Sequence, residues 1–230
     1  MLEELKQEVW EANLMLEKEG LVRLTWGNVS GIDRDQGMFV IKPSGVAYEE
    51  LKAEQMVVMD LEGQKVEGDL NPSSDTATHF ILYRDLEGIG GITHTHSLHA
   101  TMFSQAGLEI PCLGTTHADH FRGTVPLVRE LSPEEVKEDY ETNTGRAIVE
   151  CFRNRGIDPV EMPACLQRFH APFTWGKSAI EAVKNSVALE VCAQMAIGAW
   201  QLNKAQKGLP DYLLEKHFQR KHGPDSYYGQ

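Results

Sequence analysis

Two kinds of hydrophobic spacing are interleaved along this chain of 230 residues, and their order limits the architectures open to it. Leu2, Leu5, Val9, Ala12 and Leu16 recur at three and four residues, the spacing of a helix with one apolar stripe, and Gly20 supplies a stop. Short β-rich runs follow at Met38 to Ile41, Met56 to Leu61 and Gln64 to Val66, and the turn Glu62-Gly63 makes the last two a hairpin. Pro72-Ser73-Ser74 offers capping hydroxyls ahead of a helical stretch from Thr76 to Asp85, after which Gly88 to Gly91 lead into a strand from Ile92 to His96. Ser132-Pro133-Glu134-Glu135 sets a cap, a first-turn proline and a capping-box glutamate in order, opening a helix to about Arg155. Ser178 and Glu181 repeat the device for a long helix with Ile180, Val183, Val187 and Val191 on one face. Gly208-Leu209-Pro210 ends that helix before a last one, and residues 223–230 read as an extended, irregular tail. Helices and strands mix without strict βαβ alternation, and neither a repeat nor a linker divides the chain. The expectation is one α/β domain over residues 1–230 with a partly antiparallel sheet.

Composition narrows the function. At 41% hydrophobic residues the chain can bury a sizeable core. A net charge of -12 disfavours nucleic acid and anionic membrane surfaces, because both demand a basic face that displaces counterions. An anionic substrate would therefore need local help. The longest apolar stretches, such as that around Val183 to Trp200, are broken by charges, and the first residues lack a signal-peptide pattern, so a cytoplasmic protein is expected. Cys112, Cys151, Cys165 and Cys192 form no C-x-x-C pair and read as buried, reduced thiols.

Chemistry concentrates at the histidines. In Gly90-Gly-Ile-Thr-His-Thr-His-Ser97, His94 and His96 lie two residues apart, so on a strand both imidazoles leave one face and can share an ion; a satisfied structural pair is the other reading. His170 sits in an apolar, strand-like run from Leu166 to Gly176, where an unpaired imidazole is costly to bury; it is either a core histidine or a third ligand. Three histidines with an open position would form a catalytic zinc site acting as a Lewis acid on a substrate oxygen. His79 and His99 read as helical neighbours of the site, and His222 as solvated.

Several motifs then read together: Thr25-Trp-Gly-Asn-Val-Ser30, Lys42-Pro-Ser-Gly45, Pro72-Ser-Ser-Asp-Thr76, His94-Thr-His96, Gly114-Thr-Thr-His-Ala-Asp119, His170 and Tyr227-Tyr-Gly-Gln230. Their order and spacing resemble the L-ribulose-5-phosphate 4-epimerase family of the class II aldolase and adducin-head superfamily, over essentially the whole chain. The resemblance implies a three-layer α/β/α domain with a largely antiparallel central sheet, a homotetramer, and active sites at subunit interfaces. It implies that His94, His96 and His170 bind zinc, with Asp75 a carboxylate on the metal side. Gly27, Asn28, Ser44, Gly45, Ser73 and Ser74 match substrate-binding positions, mostly for the phosphate, with Lys42 alongside. Read alone, Lys42-Pro-Ser-Gly45 is an ordinary turn; glycines, hydroxyls and a helix N-terminus after Ser74 nevertheless suit an anion.

By the same resemblance, Asp119 and Tyr228 are the paired acid and base, the tyrosine arriving from a neighbouring subunit, with His217 and Arg220 at that interface. Two departures stand out: Ala171 replaces the usual glycine after the third histidine, and His120 replaces a common tyrosine. The implied reaction inverts carbon 4 of L-ribulose 5-phosphate to give D-xylulose 5-phosphate, in the breakdown of L-arabinose or a related compound such as ascorbate. Carbon 4 is not adjacent to the carbonyl, so enolisation cannot reach it, and Gly88-Ile-Gly90 is no dinucleotide turn because it lacks a third glycine and precedes its strand. Cleavage and re-formation of the bond between carbons 3 and 4 remains. The alternatives are a sugar-phosphate aldolase of the same superfamily, in which a glutamate stands where this chain has Asp75, and a non-catalytic scaffold of the adducin-head kind.

Overall fold

The computed structural model describes residues 2–224 and 226–227. Helix α1 (Glu3–Lys18) is followed by β1 (Asn28–Asp33), β2 (Met38–Ile41), β3 (Val57–Asp60) and β4 (Lys65–Glu67). Next come α2 (Thr76–Asp85), β5 (Gly91–His94), α3 (Leu98–Ala106), α4 (Thr115–Ala118) and β6 (Leu127–Val128). The chain continues with α5 (Pro133–Arg155), β7 (Ala164–Gln167), β8 (Pro172–Gly176), α6 (Ala179–Leu202) and α7 (Asp211–His222).

The strands form one sheet in the order β4-β3-β2-β1-β5-β8-β7-β6. Every pairing is antiparallel except the parallel contact of β6 with β7. Side chains alternate across the sheet with the period of two that a pleated strand imposes. Phe39, Ile41, Val57 and Met59 join Ile81, Leu82 and Tyr83 of α2 and Ile148 and Phe152 of α5 in one apolar cluster. Val29, Val40 and Val58 join Val9, Ala12 and Leu16 of α1 and Ala179 and Val183 of α6 in the other. On β8, Phe173 and Trp175 belong to the first cluster, while the Thr174 hydroxyl between them donates to Ala182 O of α6 at 3.0 Å. Each such buried large side chain contributes about 1.5–3 kcal/mol, so burial on both faces fixes the layer order. The result is the three-layer α/β/α arrangement with a largely antiparallel sheet that the resemblance implied. No helix among the described residues is long and apolar enough to cross a membrane.

Several expectations shift in detail. Strand β1 was not legible, because its buried positions include Asn28 and Ser30; Ser30 lies 2.7 Å from His79 Nδ1 and 2.7 Å from the Tyr83 hydroxyl, a buried polar cluster that breaks the apolar pattern. Strand β5 ends at His94, so His96 is not on it: the chain turns through Ser97 into α3, whose first amides, His99 and Ala100, are capped by the Glu190 carboxylate. His170 lies not in a strand but in the turn between β7 and β8, where Phe169 takes a left-handed φ of 62°. The Ser132 capping box is complete. At α6, however, Ser178 accepts from Glu181 N while the Glu181 carboxylate caps Lys177 N instead. Helix α6 stops at Leu202, before Gly208, and α5 carries an extended residue, Asp139, within it.

Candidate metal centre

The sheet brings together three histidines from two stretches of chain. His94 closes β5, His96 stands two residues on, and His170 is carried over by the β7–β8 turn, which places it beside the end of β5 because β8 pairs with β5 at His94 and Phe173. Their ring centroids are 4.8–5.1 Å apart, and one nitrogen from each ring lies within 4.8 Å of the others. His94 is buried with Nδ1 3.0 Å from Pro172 O; a carbonyl only accepts, so Nδ1 carries a proton and Nε2 is the nitrogen left for an ion. That Nε2 is 3.0 Å from His170 Nε2. Two ligands each about 2.1 Å from a shared ion would be roughly 3–3.5 Å apart, so the donor set fits a divalent cation. Burial, then the neighbouring His94, pushes His96 down to about 4. Burial followed by His94 and His96 pushes His170 down to about 3. Both rings are therefore neutral near pH 7, the form a metal requires.

The histidines floor a cleft of about 480 Å³ that is also lined by Gly27, Asn28, Lys42, Ser44, Gly45, Ser73, Ser74 and Asp75. Two loops clasp each other to form its far wall: Ser44 N donates to Asn71 O at 2.9 Å and Ser73 N to Lys42 O at 3.0 Å, with a bridge between Pro43 and Pro72. Gly45 needs its left-handed φ of 71°, and the N-terminus of α2 begins directly after Ser73-Ser74-Asp75. Lys42 is buried, which brings its ammonium down to about 8. Its Nζ donates to Val46 O at 2.9 Å and stands 4.9 Å from the Tyr48 ring, so it shapes the loop from inside.

Asn28 donates Nδ2 to Asp75 Oδ2 at 2.6 Å and to Ser73 Oγ at 3.0 Å, which leaves its buried Oδ1 without a partner among the described residues. Asp75 thus lines the cleft beside the three nitrogens rather than among them. Burial alone would raise its carboxyl, but His94, His79 and the Asn28 amide outweigh that and hold it below the ordinary value. Two neighbours of the histidines had no role from sequence. Trp26, half-exposed, stands 6.1 Å from the His96 ring, and Tyr140 places its hydroxyl 3.1 Å from His170 Nδ1.

Asp119 is elsewhere. It follows α4 and accepts from Arg220 Nε at 3.0 Å and Nη2 at 2.7 Å and from His217 Nδ1 at 3.1 Å, all on α7. Burial raises its carboxyl, but the bonds from Arg220 and His217 bring it below the ordinary value. His222, read from sequence as solvated, donates Nε2 to Asp119 O at 2.8 Å. The groove beside this cluster, lined by His120, Phe218 and Lys221, reaches Gly88, Ile89, Gly176 and Lys177, at the end of β5 and β8 opposite His94 and Phe173. Three residue steps of strand separate those ends by about 10 Å. Within one chain, then, Asp119 and the histidines face opposite ends of the central strands. Tyr228 lies outside the described residues. Tyr227 N donates to Arg220 O at 3.0 Å, which keeps the tail against α7 up to that point.

Comparison with known proteins agrees with this geometry. The profile of the Class II Aldolase and Adducin N-terminal domain matches residues 7–197. The chain is 53% identical over 229 residues, covering 100% of both chains, to L-ribulose-5-phosphate 4-epimerase UlaF of Salmonella paratyphi C (strain RKS4594), and equally so to that of Salmonella choleraesuis (strain SC-B67). Among solved structures, an L-fuculose 1-phosphate aldolase superposes with a TM-score of 0.80 at 25% identity, covering 94% of this chain and 95% of the other. The chain belongs to the class II aldolase and adducin N-terminal domain family, as an end-to-end relative of its L-ribulose-5-phosphate 4-epimerases.

Proposed function

We propose that the protein is a zinc-dependent L-ribulose-5-phosphate 4-epimerase acting in pentose catabolism, with residues 1–230 as one domain, assembled as a homotetramer in the cytoplasm. The observation that carries the reading is the convergence of three imidazoles on one cleft whose opposite wall is two clasped loops of small and hydroxyl-bearing residues. Identity of 53% to two proteins named for this reaction supports the substrate.

In this reading Ser44, Gly45, Ser73 and Ser74, with the first amides of α2, hold the phosphate, and Lys42 keeps their loop in shape while adding positive potential to an acidic protein. The unpartnered Asn28 Oδ1 accepts a hydroxyl of the three-carbon fragment. His94, His96 and His170 hold the ion, with Asp75 alongside. A divalent ion there supplies Lewis-acid stabilisation of negative charge on that fragment. One of Asp119 and Tyr228 takes the proton of the carbon 4 hydroxyl as the bond from carbon 3 to carbon 4 breaks, its electron pair passing to the three-carbon fragment. The aldehyde turns about its anchored phosphate, the bond re-forms on the other face, and the opposite group returns a proton. Because Asp119 and α7 form one unit at the far end of the sheet, with Tyr227 N bonded to Arg220 O, that unit serves the cleft of a neighbouring copy.

The test is to incubate metal-loaded protein with L-ribulose 5-phosphate and assay D-xylulose 5-phosphate. Product formation supports the reading, and its absence with release of dihydroxyacetone supports the second reading, a sugar-phosphate aldolase. The fold likeness to an L-fuculose 1-phosphate aldolase favours that second reading; Asp75, too short to protonate the three-carbon fragment where a glutamate would reach, favours the first.

A further inference from the structure

Helix α5 is two helical segments, and the break between them is written into the sequence. Asp139 has φ −165° and ψ 96°, the extended conformation of a residue that caps a helix rather than continues one. Its Oδ1 accepts from Thr142 N at 3.1 Å, three residues on, as an N-cap side chain does. The carbonyl of Glu135, which a continuous helix would satisfy with the amide four residues later, accepts from the side chain of Asn143 at 2.9 Å. The second segment is then pinned to α2, where Thr78 Oγ1 donates to Glu141 O at 2.7 Å. Side-chain bonds thus satisfy both sides of the break, so the kink is a fixed feature of the fold.

The kink makes Tyr140 the first residue of the second segment, and it delivers the phenol to the metal centre. Its hydroxyl lies 3.1 Å from His170 Nδ1, with the two ring centroids 6.0 Å apart. The other nitrogen of that ring, Nε2, is the one 3.0 Å from His94 Nε2. His94 has its Nδ1 proton held by the carbonyl of Pro172, a rigid backbone acceptor. His170 sits in a turn through the left-handed Phe169, and the Tyr140 hydroxyl is the group that stands against its Nδ1.

We propose that Tyr140 is a positioning residue for the metal. It accepts the Nδ1 proton of His170, fixes the ring in the tautomer that leaves Nε2 free for the ion, and depends on the Asp139 cap to stand there. The inference rests on the metal site proposed above, and metal affinity tests it apart from turnover. A hydrogen-bond partner on the remote nitrogen of a ligating histidine changes affinity typically 10–100-fold.

The experiment is chelator competition for zinc, with cobalt as a visible reporter, on the full chain and on Tyr140→Phe, Asp139→Asn and Asp139→Leu, alongside thermal unfolding of the metal-free proteins. Tyr140→Phe should weaken zinc binding by roughly 10–100-fold and alter the cobalt spectrum while metal-free unfolding stays near that of the unsubstituted chain. Asp139→Asn, which still caps, should keep affinity within about threefold, and Asp139→Leu should fall with Tyr140→Phe. Unchanged affinity and spectrum in Tyr140→Phe overturn the proposal, as does a loss confined to metal-free stability. Equal losses in Asp139→Asn and Asp139→Leu would overturn the part given to the cap. Failure of the unsubstituted chain to bind zinc would instead sink the metal site itself.

Discussion

Replacing Gly27 with alanine tests how tightly the loop behind the cleft is fitted. Gly27 has φ 77°, a conformation that costs an L residue roughly 1–2 kcal/mol. A Cβ there would stand 2.7 Å from Val22 Cγ1 and 3.0 Å from the carbonyl oxygen of His94. Val22 is buried, branched side chains turn only between widely spaced rotamers, and the carbonyl belongs to a paired strand, so neither neighbour gives easily. Overpacking of this kind costs typically about 1–3 kcal/mol, for a total of roughly 2–5 kcal/mol. In a domain of this size that corresponds to a fall in Tm of about 4–20 °C, read by calorimetry on metal-free protein. The carbonyl being pushed belongs to a proposed ligand, so zinc affinity should fall as well. Gly45→Ala is the control: φ is 71° but nothing lies within 4 Å of the added methyl, so only the conformational cost of roughly 1–2 kcal/mol applies and zinc affinity should hold. Equal destabilisation in the two variants, or a Gly27→Ala protein within about 1 kcal/mol of the unsubstituted chain, would refute the reasoning.

Burial pushes the His79 imidazole from 6.5 down to about 3. A histidine with a depressed folded pKa favours the unfolded state once protonated, so stability is full above about 6.5 and falls as pH drops toward the folded value. Each such group adds about 1.4 kcal/mol per pH unit to that slope, so His79→Gln should make denaturant-measured stability between pH 6 and 4 less steep by that amount; an unchanged slope would count against it. Asp119→Asn and Tyr228→Phe should each slow turnover severely, by about 10²-fold or more, with metal content unchanged, and near-normal rates would remove the residue from the mechanism. Mixing inactive His94→Asn subunits with inactive Tyr228→Phe subunits should restore part of the activity, because each hybrid contact can combine an intact cleft with an intact tail; no recovery in verified hybrids would place both parts in one chain. Asp75→Glu should increase dihydroxyacetone release in a trapping assay, and no increase would detach Asp75 from the choice between epimerase and aldolase.

Local chemistry carried much of what could be read in advance. Helix α1 announced itself through Leu5, Val9, Ala12 and Leu16, and the start of α5 through a capping box that is complete in the structure, because both signals lie within a few consecutive helical turns. The residues of the two clasped loops and all three histidines could be picked out by the resemblance of short motifs, and the fold gathers them into one cleft. Strand β1 was hidden because its buried positions are polar, and only the distant partners His79 and Tyr83 make Ser30 a core residue. Tyr140 was hidden inside what looked like one uninterrupted helix, although Asp139 and Thr142 held the cap signal.

By itself, then, the sequence determined most element types, the family and the candidate donor residues, since propensity, capping and motif spacing act over a few residues. Tertiary structure decided how those donors meet. His96 and His170 converge on His94 from a loop and a turn rather than along one strand, because antiparallel pairing of β5 with β8 sets their register. It also decided that Asp119 faces the opposite end of the same strands, a separation that depends on sheet direction and the docking of α7, which no local pattern of residues encodes.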